Sequence, residues 1–181
     1  ALCTCFLVIP IVNHCAQKYG KKITFLYSQA VSLVGYVLFW WGFSPENPWL
    51  MFIPLPLFAF GIGGLFTIMM SMTADICDLD ELETSQRREG TFGAIYWWMV
   101  KFGAAIAGGA SGLILSTIGF DQSVALQSTE TLELLRLSYI AIPGIGTLIA
   151  IFVMRNYDLD EQRANEIRAQ LEARHSDQPT S

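Results

Sequence analysis

Gly90–Gly119 reads GTFGAIYWWMVKFGAAIAGGASGLILSTIG, with one charge in the whole stretch, Lys101. A bilayer's hydrocarbon core is about 30 Å thick and takes roughly 20 helical residues to cross, so this run is long enough to span it. The same pattern recurs on either side. Ile23–Phe43 is a second long apolar run, with Gln29 as its strongly polar residue. A third, from Trp49 to about Ala74, contains Pro54, Pro56 and Gly61-Ile62-Gly63-Gly64. Such breakers are tolerated in membrane helices when neighbours satisfy the freed backbone groups. A fourth runs from about Leu137 to Met154, and Ala1–Val12 is too short, as the end of a cut helix would be. The expected fold is an all-α integral membrane bundle of four full transmembrane helices and one partial one.

Composition agrees with this reading. Hydrophobic residues make up 52% of the 181 and charged residues only 15%, against roughly 25% charged in average soluble domains. An ordinary soluble enzyme is thereby excluded. The net charge of −5 argues against a nucleic-acid partner, which calls for a basic surface. Cys3, Cys5, Cys15 and Cys77 form no CxxC pair, so neither a zinc site nor a disulfide framework is expected. No basic start precedes the first apolar run, as a cleavable signal peptide would require. The chain opens on Ala1, inside that run, and is expected to be the C-terminal portion of a longer protein.

Lysine and arginine set the orientation. Lys18, Lys21 and Lys22 lie in the first connection, Arg87 and Arg88 in the third, and Arg155, Arg163, Arg168 and Arg174 in the tail. The second connection has no basic residue, and the fourth region has only Arg136. This alternation predicts that the basic connections and the C-terminus are cytoplasmic, in an inner or plasma membrane. Residues 1–157 form the membrane part. Residues 158–181 form a polar tail, read as a short helix from Asp158 to Arg174 with a frayed, solvated end from His175 to Ser181.

Lys101 sits about eleven residues, roughly 16 Å, into its span. A lysine at that depth costs about 2.5–3.5 kcal/mol on insertion scales, and snorkelling serves helix ends better than helix centres. On the helical wheel Gly90, Gly93, Trp97, Lys101, Ala104, Gly108, Ser111 and Gly112 share one stripe, while Phe92, Ile95, Met99, Phe102, Ile106 and Leu113 lie opposite. Ala104, Gly108 and Gly112 fit the small-xxx-small pattern of close helix packing. Packing does not account for Lys101, which must meet a carboxylate, a substrate or water. Trp97 could stack on the apolar face of a sugar ring or simply pack between helices. Phe66 and Tyr96 are weaker candidates of the same type.

Asp75, Asp78 and Glu81 recur every third residue, so a helical extension puts them near one face. Arg87, Arg88 and Glu89 come directly before the next span. Two readings stand side by side: a solvated loop of weak surface pairs, or an ionic contact that forms in one transport state and breaks in the other. A calcium loop of the EF-hand type is excluded, because the required glycine is lacking.

These residues resemble a known family. Met72-Thr73-Ala74-Asp75-Ile76-Cys77-Asp78, then Arg87-Arg88-Glu89-Gly90 and Trp97-Trp98-Met99-Val100-Lys101, are similar to the glycoside–pentoside–hexuronide:cation symporters, which have the major facilitator fold. The match is to the tenth helix, the following loop and the eleventh helix of such carriers. Asn13–Lys22 resembles the basic eighth-to-ninth loop, and Ile167–Arg174 the common C-terminal ending. The resemblance implies the C-terminal half of a major-facilitator-type bundle performing sugar:cation symport, not catalysis. It places Lys101 near the cation and sugar sites, and Trp97 and Phe66 at the sugar. It puts Asp75, Asp78, Glu81, Arg87 and Glu89 in a cytoplasmic gating network. Trp97 stands where melibiose-type carriers have threonine, and Phe66 where they have tryptophan, which argues against melibiose itself.

The implied partners are an N-terminal half of the same transporter, a small sugar and the lipid bilayer. No metal site and no cofactor is expected beyond a coupling sodium ion or proton, held in that other half. Related carriers take lysophospholipids or anionic sugar derivatives, which a lysine would also suit. A non-transporting membrane protein, with the small-residue stripe serving only assembly, is the remaining alternative.

Overall fold

The computed structural model describes residues 2–43, 47–121, 123–124, 126–159 and 161–176, with side chains from Val8 onward except at His175. The elements are α1 (Leu2–Tyr19), α2 (Lys21–Gly42), α3 (Pro54–Thr84), α4 (Glu89–Thr117), α5 (Thr129–Arg155) and α6 (Glu161–Ser176). A short 3-10 turn, Pro48–Phe52, leads into α3. No strand occurs among the described residues. Four helical segments, α2 to α5 with the 3-10 turn joined to α3, are long and apolar enough to cross a membrane.

Several boundaries differ from the sequence reading, each for a local reason. The first apolar run ends at Val12, but its helix continues to Tyr19. Polarity ends a membrane run without ending a helix. Lys18, Lys21 and Lys22 therefore do not lie in a loop. The chain reverses at Gly20, whose φ of 86° lies in the left-handed region open to glycine. Thr24 Oγ1 donates to Gly20 O at 2.9 Å and ties down the start of α2.

Trp49 belongs to the 3-10 turn, and α3 begins only at Pro54. Pro54 and Pro56 thus fall in the first helical turn, where a missing N–H costs nothing. The helix then runs to Thr84, so Asp75, Asp78 and Glu81 are helical and the connection shrinks to Ser85–Arg88. The last span starts at Thr129 rather than near Leu137, because Ser128 Oγ caps it by accepting from Thr131 N at 3.1 Å. The tail helix reaches Ser176, past His175, where the helix was expected to have ended. Residues 177–181, the His175 side chain and the turn at 44–46 lie outside what is described.

The α2–α3 pair is the centre of the bundle. α1 packs on α3 and α2, α5 on α2, α6 on the last turns of α3, and α4 touches chiefly α3. A polar, small-residue seam joins the central pair: Ser28, Gln29, Ser32 and Gly35 of α2 are buried against Gly61 and Gly64 of α3. Gln29 Nε2 donates to Gly61 O at 3.0 Å, and Ser28 Oγ to Phe25 O at 2.8 Å, so the buried polar groups are satisfied. Towards the basic end, Val8, Val12, Phe25, Ile68, Met72 and Met154 form the apolar core. At the other end Phe39, Phe43, Phe58 and Tyr139 meet in edge-to-face and stacked pairs with centroids 5.2–6.1 Å apart.

A Cβ added at Gly61 would overlap Ser32 Cβ, and one at Gly64 would overlap Ser28. Gly61→Ala and Gly64→Ala in the full-length protein are expected to cost about 1–3 kcal/mol each, the scale of core overpacking. Gly108→Ala has open space and should be neutral for the packing of this chain. Thermal unfolding in detergent separates the two classes.

Candidate functional site

The last three turns of α3 gather most of the fold's ion pairs. Asp75 is 3% exposed. Its Oδ2 lies 2.5 Å from Lys21 Nζ, at the first residue of α2, and its Oδ1 accepts from Arg168 of α6. Arg168 Nε also lies 3.5 Å from Asp78 Oδ2. One buried carboxylate thus joins three helices. Nearby, Lys22 Nζ donates to Tyr157 O at 2.7 Å, and Arg174 of α6 reaches Leu82 O at 3.2 Å. Glu81 lies 3.0 Å from Arg87, which also bonds Glu89, and Arg88 bonds Asp80.

These pairs are not equal. Arg87–Glu89 is open to solvent, so it gains little and is screened by salt. Asp75 is different, because breaking a buried pair leaves an uncompensated charge and costs about 3–5 kcal/mol. Hydrogen bonding to Glu89 and to Asp80 raises the pKa of Arg87 and Arg88 respectively, which keeps both cationic. The Tyr157 hydroxyl is buried without a hydrogen-bond partner, and burial, helped by the negative charge of Asp75, pushes its pKa up to about 12. Beside Asp75 a polar cavity of about 220 Å³ is lined by Asn13, Gln17, Lys21, Thr67, Ser71 and Arg168.

Lys21 and Arg168, the direct partners of Asp75, were not among the residues singled out from the sequence. The signal for Arg168 lay in the tail's spacing: Ala164, Ile167 and Leu171 are buried at helical intervals in an otherwise polar segment. A stripe of that kind marks a helix that docks, and Arg168 follows Ile167 directly.

The second group of candidates lies along α4, no residue of which is buried. Lys101 is exposed midway along the helix, with no hydrogen bond or ion pair among the described residues. Trp97 is half-exposed and packs edge-on to Tyr96 at 5.4 Å. Gly108 and Gly112 have nothing within 4 Å of an added Cβ, and Ala104 is exposed, so this small-residue stripe packs against no described helix. The side of α4 that faces the bundle instead carries Ala107, Ala110 and Ile114, with Ser111 at the edge it shares with the Lys101 stripe. These border an apolar cavity of about 570 Å³ closed by Tyr36 and Ile142. At about 100° per residue, Lys101 itself is turned roughly a third of a circle or more from that side. Phe66 is exposed on α3. No ring contact, hydrogen bond or ion pair joins Phe66, Trp97 and Lys101 among the described residues. Nor do the described residues hold a group of three His, Cys, Asp or Glu fit for a metal ion.

A family model described as MFS/sugar transport protein matches residues 1–161. The chain belongs to the MFS/sugar transport family. Among its relatives, the isoprimeverose transporter of Lactiplantibacillus pentosus is 27% identical over 94% of this chain and 35% of its own length. The glucuronide carrier protein homolog of Escherichia coli K12 is 28% identical over 91% of this chain and 36% of its own. The sodium-dependent lysophosphatidylcholine symporter 1-A of Danio rerio is 30% identical over 61% of this chain and 21% of its own. This family member therefore spans about a third of the length of the first two relatives. With its four apolar helices it is a multi-pass membrane protein.

Asp75→Asn is expected to release α6 while leaving the apolar core in place. Limited trypsin digestion followed by mass spectrometry should show faster cleavage at Arg168 than in the parent protein. Unchanged cleavage would show that the apolar stripe alone holds α6. Tyr157→Phe removes an unpaired hydroxyl and should not lower stability near neutral pH. The folded-state pKa is raised from 10.0, so the parent loses stability as pH climbs from 10 towards 12. The phenylalanine variant should lack that component in alkaline melts.

Proposed function

We propose that this chain is part of a cation-coupled sugar carrier working by alternating access, with Lys101, Trp97 and Phe66 on the substrate side. The single observation that carries the reading is Lys101, a cation halfway along a membrane helix with no partner among the described residues, on a face that no described helix covers. An intramembrane charge so placed needs an anionic or polar counterpart. A second helical half of the transporter, packed along the small residues Ala104, Gly108 and Gly112, supplies it together with a water-filled path. Lys101 then sets the charge balance of the central cavity, and the indole of Trp97 and ring of Phe66 offer apolar faces to a sugar. The named substrates of the isoprimeverose and glucuronide relatives support a glycoside-like solute.

Coupling to sodium or protons is a free energy shared between two sites: cation and sugar each favour the other's binding. The cation site is assigned to the other half of the carrier. The basic end is cytoplasmic, as Lys18, Lys21, Lys22, Arg87, Arg88 and the tail arginines require, so α6 lies inside the cell at its inner or plasma membrane. There the Asp75, Asp78, Glu81, Arg87 and Glu89 network, with Lys21 and Arg168 added, closes the cytoplasmic side in one state and opens in the other.

One observation favours a second reading of the substrate. The Danio rerio relative is named for a lysophosphatidylcholine, and Lys101 suits an anionic head group as well as a hydroxylated ring. Lys101→Val in the full-length carrier is expected to abolish accumulation of solute against its gradient while membrane insertion stays near normal. Radiolabelled uptake of a neutral glycoside, a uronide and a lysolipid reads both points. Full accumulation in the variant would remove the central role of Lys101, and lysolipid-only uptake would select the second reading.

A further inference from the structure

Arg136 is the basic residue that the orientation rule does not explain. It lies two turns into α5, beside the end of α2, while the other basic residues apart from Lys101 sit at the opposite end of the bundle. Its Nη2 donates to Phe43 O, the C-cap carbonyl of α2, and its guanidinium carbon lies 5.6 Å from the ring centre of Trp40. Nε and Nη1 have no described partner, and no described carboxylate pairs with the group. One of its five N–H donors is thus used by a described acceptor.

Arg136 borders a cavity of about 560 Å³, within the size range of small-ligand pockets. Its walls are Gly42, Phe43, Met51, Leu132, Leu135 and Tyr139, apolar except for Arg136 itself. Trp40, Trp41 and Trp49 cluster at the same end, as aromatic side chains do at the level of lipid head groups. A cleft with apolar walls and one unpaired guanidinium, set at that level, is complementary to a single kind of molecule. The phosphate takes the fork by charge-assisted hydrogen bonds, and the chain below it takes the apolar walls.

We infer that the cleft between the C-terminal end of α2, the 3-10 turn and α5 binds an anionic phospholipid, its phosphate on Arg136 and an acyl chain along Leu132, Leu135 and Met51. The inference rests on the helices spanning a membrane and is independent of what is transported. The decisive charge complementarity favours lipid over a neighbouring apolar helix, which would leave the guanidinium unpaired in a dry cleft at a high cost.

The test uses the full-length protein in detergent, titrated with phosphatidylglycerol and followed by native mass spectrometry. One phosphatidylglycerol is expected to survive stringent delipidation, with phosphatidylcholine held more weakly. Arg136→Gln should weaken that binding roughly tenfold, the order of one lost charge-assisted pair, and Arg136→Lys by less. Leu132→Trp, which narrows the apolar part and leaves the charge, should weaken it as well, and it carries the test if Arg136→Gln fails to fold. Inorganic phosphate should not displace the lipid. Equal retention in parent, Arg136→Gln and Leu132→Trp would overturn the proposal. So would sensitivity to the arginine alone, or displacement by free phosphate.

Discussion

The close approach of α2 and α3 is the constraint on which the rest of the bundle rests. Lipid tails are as apolar as leucine, so helices in a membrane are not driven together by hydrophobicity and must gain from contact itself. Gly61 and Gly64 let the two backbones come near enough for Ser28 and Ser32 to sit between them. Gln29 then closes the gap with a bond to Gly61 O. Gly63 does the same service on the adjoining face, where Val8 of α1 rests. α1 and α5 flank this pair, and α6 grips the end of α3. Only α4 stands outside the scheme, with its glycines facing open space.

Electrostatics divides the molecule along the same lines. At the basic end the opposite charges find each other, and Asp75 ties α2, α3 and α6 together through Lys21 and Arg168. Halfway along α4, Lys101 has no partner among the described residues. At the far end Arg136 spends one donor on a helix-terminal carbonyl and lies over an indole face. Lys101 and Arg136 are the two basic residues that do not help set the topology.

How much of this was legible in the sequence varies with the kind of signal. The spans were legible because bilayer thickness imposes a length that Ile23–Phe43 and Gly90–Gly119 meet. The helical extension carrying Asp75, Asp78 and Glu81 was legible from their spacing. The boundaries were not, since hydropathy measures where lipid ends, and α1, α3 and α5 all run past that point. The α2–α3 seam was not marked out for a related reason. Ala104, Gly108 and Gly112 form the tidier small-residue pattern, but Gly61 and Gly64 have a partner in this chain, and pattern alone does not name the partner. Lys21 and Arg168 were read only as orientation-setting charges, because what makes them site residues is a carboxylate 54 residues away from one and 93 from the other.

Gly20 joins α1 to α2 with a single residue, and consecutive Cα atoms lie about 3.8 Å apart. A joint so short has no slack. Any tilt of α1 against α3 must reach α2 at its first residue, and that residue is Lys21, the one in contact with Asp75. The elbow therefore works as a crank: a swing of the first helix is delivered, undamped, to the buried carboxylate on which the basic end is fastened.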